Sequence, residues 1–365
     1  MLGSYSVLER DGGMKDDTTM GVLDGGTDTS DRESGQGSLA DPSGTRLALS
    51  VIIVSYNTCA MTLDCLRTLS AALSRLPSEV FLVDNASTDG TPAAVRAEFP
   101  WVVLIENDQN RGFGAANNQA LAVARGEFLL LLNSDAFPEP GALASLMVYL
   151  RADPEVAAVG PRLLNADGSL QRSCFRFPSP LRCWLENLWI SAALPNHPLV
   201  GDYRRWAHDA ERRVDFVIGA CLLVRREAYE QVGGFDEGFF MYSEETDWQR
   251  RMHAAGWQVA FTPSAEVTHL AGASGAGEKP QISRHFFHGL DRYVYKHHGL
   301  TGLVSARLAM ILGCGLRALL WSGVAFAQPK RRAHARAKAG FLRWLLVRQA
   351  THWKIGGPAA GKAAP

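Results

Sequence analysis

Cysteine is scarce and scattered in this chain of 365 residues: there are six, and no two of them form a CxxC pair. This spacing disfavours both a clustered cysteine metal site and a disulfide framework, so we expect a reducing cytoplasmic environment. The N-terminus also lacks a basic region followed by an apolar core. We therefore expect no secretory signal.

Acidic residues are absent near the C-terminus, although the formal net charge of the whole chain is zero. Residues 292–365 contain thirteen Lys or Arg and no Asp or Glu, whereas residues 1–41 contain nine acids and three bases. A basic segment with interspersed aromatic residues indicates an anionic surface as its partner, either a membrane or a nucleic acid.

The C-terminal region also lacks an uncharged apolar run that could cross a bilayer. Arg307 and Arg317 interrupt the apolar sequence, and the uncharged stretch 318–329 is shorter than the roughly 20 residues that a span requires. We expect amphipathic helices that lie on an anionic membrane. The alternative is a helical pair packed on the preceding domain or on a second subunit of a homo-oligomer. We expect no nucleic-acid partner, because the apolar content suits lipid better than a phosphate backbone.

Residues 1–46 are rich in Gly, Asp, Ser and Thr and show no apolar periodicity, which predicts a disordered leader. After them, apolar strand-like runs alternate with helical patterns, which predicts an α/β fold with a parallel sheet. Four successive strands end in polar residues, at Asn57, Asp84, Asn107 and Asp135. In a parallel sheet those ends lie along one edge, where open α/β sheets bind ligands.

The run from Phe128 to Phe137 carries the clearest chemical signal. Four consecutive leucines stop at Asn133-Ser134-Asp135, and an apolar run bounded by turn residues is typical of a strand buried on both faces. A carboxylate at the end of such a strand suits a hard cation such as Mg²⁺ or Mn²⁺ that carries phosphates. The alternative is an Asx-type turn that only ends a core strand.

A glycine turn, Gly112-Phe113-Gly114, lies between the third strand and the following helix. It lacks the third glycine of the dinucleotide fingerprint, because Asn117 stands there, and that fingerprint normally opens the first βαβ unit. We interpret it as a turn that lets the backbone approach a nucleotide. The incomplete glycine pattern therefore argues against a dinucleotide-dependent oxidoreductase.

Six motifs follow one another along the chain: SVIIVSYN, FLVDNASTDGT, NRGFGAANNQAL, LLLNSDA, GACLLVRREAYEQVGGFDEGFFMYSEETDW and HLAGAS. Together they resemble the inverting, metal-dependent nucleotide-sugar glycosyltransferases of family 2, and within them the bacterial rhamnosyltransferase-like branch, over residues 49–275. The resemblance implies a Rossmann-like fold of the GT-A type with a mostly parallel central sheet. It also implies a nucleotide diphosphosugar donor and one Mg²⁺ or Mn²⁺ ion.

This resemblance divides the chain after the leader into two parts. Residues 47–290 form the GT-A domain, in which 47–160 is the nucleotide-sugar-binding half and 161–290 the acceptor-binding half. Residues 291–365 form a basic amphipathic helical tail.

The resemblance assigns donor binding to polar residues at the strand ends and in the glycine turn. Asp84 resembles the aspartate that accepts a hydrogen bond from a pyrimidine ring, and charge-assisted bonds of this kind are strong. An ordinary Asx-turn aspartate is the alternative for this residue. The complete set of implied nucleotide-sugar-binding residues is Ser55, Asn57, Asp84, Asn85, Arg111, Asn118, Asn133 and Ser134.

The metal ligands follow from the same resemblance. The segment from Asn133 to Asp135 stands where the family has Asp-x-Asp, with Asn in place of the first acid. Asp135 is then the metal ligand, and Asn133 becomes a contact to the donor. His269 resembles the second protein ligand. Because one carboxylate is missing, diphosphate oxygens and water would complete the coordination.

Glu245 matches the catalytic base of the family, which takes a proton from the acceptor hydroxyl. The neighbouring acids Glu244 and Asp247 are expected to support the acceptor side. Alternatively, these three acids only favour the N-terminus of a helix, for which Ser243 is the predicted N-cap.

The implied function is an inverting transfer of a sugar from a pyrimidine nucleotide donor, with rhamnose from dTDP-rhamnose as first choice. The acceptor would be a glycan, either lipid-linked or a polysaccharide precursor. We expect a peripheral enzyme on the cytoplasmic face of a bacterial inner membrane. A non-catalytic adaptor that binds nucleotide sugar or membrane is the alternative.

Overall fold

The computed structural model describes residues 47–195, 197, 200, 201, 203, 206–270 and 279–351. The predicted leader, the last four residues of the HLAGAS motif and the end of the basic tail lie outside the described residues.

The described chain alternates strands and helices in its first part and ends in two long helices. The strands are β1 (Leu49–Ser55), β2 (Ser78–Asp84), β3 (Val103–Glu106), β4 (Phe128–Asn133), β5 (Ala136–Pro138), β6 (Val156–Leu164), β7 (Leu170–Gln171), β8 (Cys174–Phe175), β9 (Arg212–Val214), β10 (Phe216–Val217), β11 (Cys221–Arg225) and β12 (Gln258–His269). The helices are α1 (Cys59–Leu73), α2 (Thr91–Glu98), α3 (Phe113–Leu121), α4 (Ala142–Ala152), α5 (Pro180–Asn187), α6 (Ile190–Ala193), α7 (Arg226–Val232), α8 (Glu244–Ala254), α9 (Lys279–Ala327) and α10 (Arg332–Thr351).

The central sheet has the strand order β3-β2-β1-β4-β11-β6-β12-β5. Strand β1 is parallel to β2 and β4, β2 is parallel to β3, and β6 is parallel to β12. Strand β11 runs antiparallel to both of its neighbours, β4 and β6. The predicted α/β fold with a mostly parallel sheet is confirmed, and the carboxyl ends of β1, β2 and β4 meet at one edge.

Strand β4 is buried on both faces, as its leucine run predicts. Leu130 and Leu132 pack in the cluster that contains side chains of α1, α2 and α4. Leu129 and Leu131 point the other way, into the cluster that contains side chains of α3 and α8. Apolar layers on both faces therefore hold the polar tip of β4 rigidly at the edge of the sheet.

Helix α10 packs on α9, and α9 packs on the rest of the described chain. Arg317 of α9 donates to Asn187 of α5 at 3.0 Å, and His297 of α9 lies 2.9 Å from Asp247 of α8, while buried Arg307 donates within α9 to Asp291 at 2.9 Å. This arrangement agrees with the alternative prediction of a helical pair packed on the preceding domain. Helix α9 also runs through the predicted domain boundary at residue 290.

Length and composition alone would allow one segment of α9, Arg284–Ala327, to cross a membrane. Of its most apolar stretch of 18 residues, 44% is buried inside the protein. The expectation of no sufficiently apolar span is therefore too strict, because two arginines in a long helix do not lower its hydropathy enough. A buried core helix has the same properties.

Candidate active site

Strand pairing brings Asp135 and His269 together at the edge of the sheet. Asp135 lies between β4 and β5, His269 ends β12, and β5 pairs with β12 so that Ala136 faces His269. The backbone N–H of Leu270 donates to the carbonyl oxygen of Asp135 at 3.0 Å. As a result Oδ1 of Asp135 lies 3.3 Å from Nε2 of His269, and both side chains are buried.

This pair fits a divalent cation. A carboxylate oxygen and an imidazole nitrogen that face each other are both ligands for Mn²⁺, and the carboxylate also suits Mg²⁺. Among the described residues, no group of three or more His, Cys, Asp or Glu is arranged to hold a metal. The two side chains would therefore leave most coordination positions to the oxygens of a diphosphate and to water.

The ring of His269 is held by Gln171, a residue that no motif in the sequence marks. Nδ1 of His269 lies 2.6 Å from Oε1 of Gln171, which is itself buried on β7. The sequence signal was weak, because only the turn before β7 marks this short strand, and nothing local shows that it approaches β12.

Asp84 ends β2 with one carboxylate oxygen bonded and one available. Its Oδ2 accepts the backbone N–H of Ser87 at 2.9 Å, as an Asx turn requires, while the buried Oδ1 has no hydrogen-bond partner among the described residues. Asn57 fixes the same loop, since its Oδ1 accepts the backbone N–H of Thr88 at 2.8 Å. An unpaired carboxylate oxygen at this edge can receive a ligand N–H group.

Ser55 and Ser134 lie in a buried hydroxyl network rather than in an open pocket. The Oγ of Ser55 is 3.0 Å from Oγ1 of Thr58, and Oγ1 of Thr58 is 3.1 Å from Oγ of Ser134. The network joins the ends of β1 and β4 to the first turn of α1. It stabilises the strand ends on which the site is built.

Asn85 and Asn118 are also engaged inside the protein. Nδ2 of Asn85 donates to Oδ1 of Asn110 and to the carbonyl of Gly112, at 3.1 and 3.2 Å. Asn118 fastens α3 to the loop before α8, because it accepts the backbone N–H of Phe235 at 2.8 Å and donates to the carbonyl of the same residue at 3.0 Å. These two side chains position the walls of the site.

Arg111 and Asn133 remain accessible to a ligand. The side chain of Arg111 is 40% exposed and lies 3.8 Å from Glu237. Asn133 is half-buried, with its Nδ2 3.4 Å from Nε2 of His269. Both therefore lie where a donor could reach them.

The N-terminus of α8 carries the acid pair at a strained point of the backbone. Tyr242 and Ser243 both have positive φ angles, 70° and 73°, which non-glycine residues rarely adopt. Ser243 is the N-cap residue as predicted, but its side chain makes no capping hydrogen bond. This backbone conformation sets the direction in which α8 starts and therefore where the side chains of Glu244 and Glu245 project.

Both glutamates have raised pKa values and each has one buried oxygen without a partner among the described residues. Burial raises the pKa of the Glu244 carboxyl well above its usual range, and the charge of Glu245 adds to this effect. Burial also raises the pKa of Glu245, against backbone hydrogen bonds at the start of the helix that lower it. A carboxylate with a raised pKa and a vacant acceptor position is suited to remove a proton near neutral pH.

Tyr242, which precedes the acid pair, has a buried hydroxyl near carboxylates. Burial raises the pKa of its hydroxyl to about 12, and the charges of Glu244, Glu245 and Asp135 act in the same direction. Contacts near Gly219 bring Glu245 close to the end of β4: a Cβ at Gly219 would lie 3.6 Å from Cβ of Glu245, and the carbonyl of the next residue, Ala220, accepts the backbone N–H of Asn133 at 2.9 Å.

Asp247 makes its contacts with Arg251 and with α9. It is fully buried and accepts hydrogen bonds from Arg251 of α8 at 2.9 Å and from His297 of α9 at 2.9 Å, with Lys296 at 2.8 Å. Burial alone would raise its pKa, but the bonds from His297 and Lys296 lower that pKa to about 2. Asp247 therefore ties α9 to α8, and its predicted support of the acceptor stays a prediction.

Residues 50–233 match the sequence profile described as Glycosyl transferase family 2. The chain belongs to this family. Relatives of this family 2 glycosyltransferase include the N-acetylglucosaminyl-diphospho-decaprenol L-rhamnosyltransferase of Mycobacterium tuberculosis, which is 35% identical over 250 residues, covering 65% of this chain and 81% of the relative. The O-antigen biosynthesis protein RfbC of Myxococcus xanthus is 31% identical over 223 residues, which cover 58% of this chain and 16% of that protein.

Among solved structures, the family 2 glycosyltransferase is similar to the mannosyltransferase PcManGT from Pyrobaculum calidifontis, determined in complex with GDP-Man and Mn²⁺. The TM-score is 0.51 at 22% identity, over 85% of this chain and 89% of the other. This likeness shows the GT-A fold. The predicted family and fold are therefore both confirmed.

Proposed function

We propose that this glycosyltransferase moves a hexose, with rhamnose from dTDP-rhamnose as first choice, to a lipid-linked or polysaccharide acceptor with inversion. The observation that carries the proposal is the facing pair Asp135 and His269 at the carboxyl edge of the sheet, together with the buried acid pair Glu244–Glu245 at the start of α8. The name of the mycobacterial relative supports a rhamnosyl donor and an N-acetylglucosaminyl diphosphate carried on a polyprenol.

The donor half of the site is residues 47–160. Oδ1 of Asp84 accepts the ring N–H of a pyrimidine base, since that oxygen is buried and has no partner among the described residues. Asn57 shapes the base and ribose pocket through the loop that it holds, and Arg111 and Asn133 contact the phosphates and the sugar. Ser55, Ser134, Asn85 and Asn118 act through the hydrogen bonds that fix these walls.

Asp135 and His269 would hold one Mg²⁺ or Mn²⁺ ion, which when bound neutralises charge on the departing diphosphate. Both ligands are fixed by the pairing of β5 with β12, so the protein holds them at their mutual distance before any donor binds. Asn133 has no charge, and it is therefore better suited to a sugar hydroxyl than to the cation.

Glu245 removes the proton of the acceptor hydroxyl. The acceptor oxygen forms a bond to the anomeric carbon as the bond from that carbon to the diphosphate breaks, and the proton passes to Oε2 of Glu245. A single displacement of this kind inverts the anomeric configuration. Burial disfavours ionisation of both neighbouring glutamates at once, so the pair retains one proton, which leaves one carboxylate to act as the base. Residues 161–290 form the acceptor half.

Transfer from dTDP-rhamnose to a synthetic N-acetylglucosaminyl diphosphate lipid tests this proposal. We expect Glu245→Gln and Asp135→Ala each to lower kcat by about 10²- to 10⁴-fold, the range expected for loss of a general base or of a charge-stabilising group. Asp64→Asn, at an exposed acid on α1, is the control and should leave kcat unchanged. Undiminished transfer in both site variants would contradict the mechanism. Donor binding without any turnover by the wild-type protein would favour the adaptor alternative.

We also propose peripheral attachment to the cytoplasmic face of the membrane through α9 and α10. Exposed leucines at positions 308, 312, 316 and 319 are spaced for one helical stripe about 80° wide. Exposed bases just before and within the first turns of α10 give this region a positive charge: Lys330, Arg331, Arg332 and Arg336. Apolar area combined with positive charge is what binds proteins to anionic lipid.

Sedimentation with vesicles tests this attachment. Binding to phosphatidylglycerol vesicles should exceed binding to phosphatidylcholine vesicles and should fall with salt. Leu312→Glu together with Leu316→Glu should lower it by at least about tenfold, since each change removes roughly 2 kcal/mol of apolar burial. Val148→Glu, at an exposed apolar residue of α4, is the control. Equal binding by both variants would contradict the proposal, and protein that stays with membranes in alkaline carbonate would indicate a spanning helix instead.

A further inference from the structure

We infer that Gln171 is a positioning residue for His269: its carboxamide fixes which ring nitrogen carries the hydrogen and so presents the Nε2 lone pair toward Asp135. The inference deepens the proposed function, because it rests on the role of His269 as a cation ligand. It is carried by a set of hydrogen bonds whose directions can be worked out one after another.

The turn residue Asn165 has an amide orientation that its partners determine. Its Nδ2 donates to the carbonyl oxygen of Ser169 at 3.3 Å and to the hydroxyl of the same residue at 2.9 Å. A backbone carbonyl can only accept, so the amide nitrogen of Asn165 must face Ser169. Its Oδ1 therefore faces Gln171, as an acceptor.

The orientation of the Gln171 carboxamide follows from that of Asn165. Its Nε2 lies 2.9 Å from Oδ1 of Asn165 and 3.0 Å from the carbonyl oxygen of His269. Both of these atoms accept, and a rotation of the carboxamide by 180° would place Oε1 against two oxygens in a buried environment. Gln171 is only 4% exposed, so such a contact would be a costly buried one, and the observed orientation is the favourable one.

The orientation of Gln171 determines which nitrogen of the His269 ring carries the hydrogen. Oε1 of Gln171 lies 2.6 Å from Nδ1 and can only accept, so Nδ1 carries the hydrogen in the neutral ring. The lone pair then lies on Nε2, which is 3.3 Å from Oδ1 of Asp135 and 3.4 Å from Nδ2 of Asn133.

The alternative position of the hydrogen shows what Gln171 contributes. With the hydrogen on Nε2, His269 would donate directly to the carboxylate of Asp135, and both ligands would satisfy each other without a cation. Gln171 makes that arrangement unfavourable, because its own oxygen would then face the bare Nδ1 atom. Groups that hold the second ring nitrogen of a metal-binding histidine typically change metal affinity by about 10- to 100-fold when they are removed.

Two substitutions separate positioning from a merely structural role. Gln171→Met keeps the length of the side chain but cannot accept from Nδ1. Gln171→Glu still accepts from Nδ1, but its second oxygen faces the oxygens of Asn165 and His269, so this variant should lose more stability. Stability and metal affinity should therefore rank the two variants in opposite orders. A purely structural residue would give the same order in both measurements.

The hydrogen position can be measured without metal. In full-length protein labelled with ¹⁵N-histidine, long-range proton–nitrogen spectra at alkaline pH distinguish the two neutral forms of each ring, and the signals of His269 are those missing from His269→Asn. We expect the hydrogen on Nδ1 in the wild type and in Gln171→Glu, and on Nε2 in a large fraction of Gln171→Met. A wild-type ring with its hydrogen on Nε2, or an unchanged ring in Gln171→Met, would overturn the inference.

Metal affinity provides the second readout, by electron paramagnetic resonance of free Mn²⁺ with the protein alone and with dTDP. Gln171→Met should weaken Mn²⁺ binding by about 10- to 100-fold, while Gln171→Glu and the control Gln119→Met should stay close to wild type. Full affinity in Gln171→Met, with affinity lost in Asp135→Asn, overturns the role of Gln171 alone. Full affinity in Asp135→Asn overturns the proposed metal site, and the inference fails with it.

Discussion

Replacing Asp247 by Asn should destabilise the protein and leave the chemistry at Glu245 intact. The two residues are neighbours in the motif SEETDW, yet Asp247 accepts from Arg251, Lys296 and His297, on the side of α8 that faces α9. Its contribution is therefore the attachment of α9 to the helix that carries the acid pair.

The magnitude follows from the pKa of Asp247, which is lowered from 3.8 to about 2. Each unit of difference between the folded and unfolded states is worth about 1.4 kcal/mol, so the ionised carboxylate contributes about 2.5 kcal/mol at neutral pH. Because the folded pKa is the lower one, this stability is present above pH 3.8 and is lost as the pH falls toward 2. Two partners of Asp247 keep other contacts when its charge is removed. Arg251 also donates to two backbone carbonyls, and Lys296 also contacts Asp236.

Thermal unfolding followed by circular dichroism measures the effect. We expect Asp247→Asn to lower Tm by about 5 °C at pH 7, from about 2 °C for each kcal/mol in a chain of this size. The difference should be constant from pH 8 to about pH 5 and should shrink at lower pH. Asp64→Asn, at an exposed ion pair on α1, should change Tm by less than about 1 °C.

Two results would refute this reasoning. A Tm within 1 °C of wild type would show that the ion cluster does not hold α9, and a Tm difference that persists unchanged below pH 4 would show that the carboxylate charge is not its cause. A large loss of kcat in folded Asp247→Asn would instead support the predicted acceptor-side role.

Two further predictions concern Glu244 and Gly112. Glu244→Gln should raise Tm at pH 8 and not near pH 4.5. The reason is that the folded protein loses stability as the pH rises from the ordinary pKa of a buried acid to its raised pKa. Melting curves at a series of pH values check this, and a constant difference in Tm would contradict it. Gly112→Ala should lower the free energy of unfolding in urea by about 2–4 kcal/mol, because a Cβ there would lie 2.3 Å from the carbonyl oxygen of Phe240 and the φ angle is 84°. Gly90→Ala, with φ 86° and open space around it, should lose only about 1–2 kcal/mol, and equal losses would argue against the contact.

The strand edge could be predicted because it depends on local pattern. Runs such as Leu129–Leu132 are apolar at every position, which is typical of a central parallel strand, and the polar residues after them must lie at its end. The engaged side chains could not be predicted in this way. Asn118 is a polar residue at a promising turn, but its partner Phe235 lies more than a hundred residues later, and no local pattern identifies it. Gln171 went unselected for the same reason.

The C-terminal helices show how a single backbone conformation changes the meaning of a charge. Arg307 looks like an interruption of an apolar face, and in a straight helix Asp291 would lie about 24 Å away along the axis, beyond its reach. Gly299 has a φ of 66° and breaks α9 between these two residues, so the segments turn and Arg307 meets Asp291 at 2.9 Å, where Arg348 of α10 also contacts it. A buried arginine paired in this way no longer has to face water or lipid headgroups. It can therefore lie opposite the exposed leucine stripe, and an arginine in the sequence does not by itself exclude an apolar surface on the same helix.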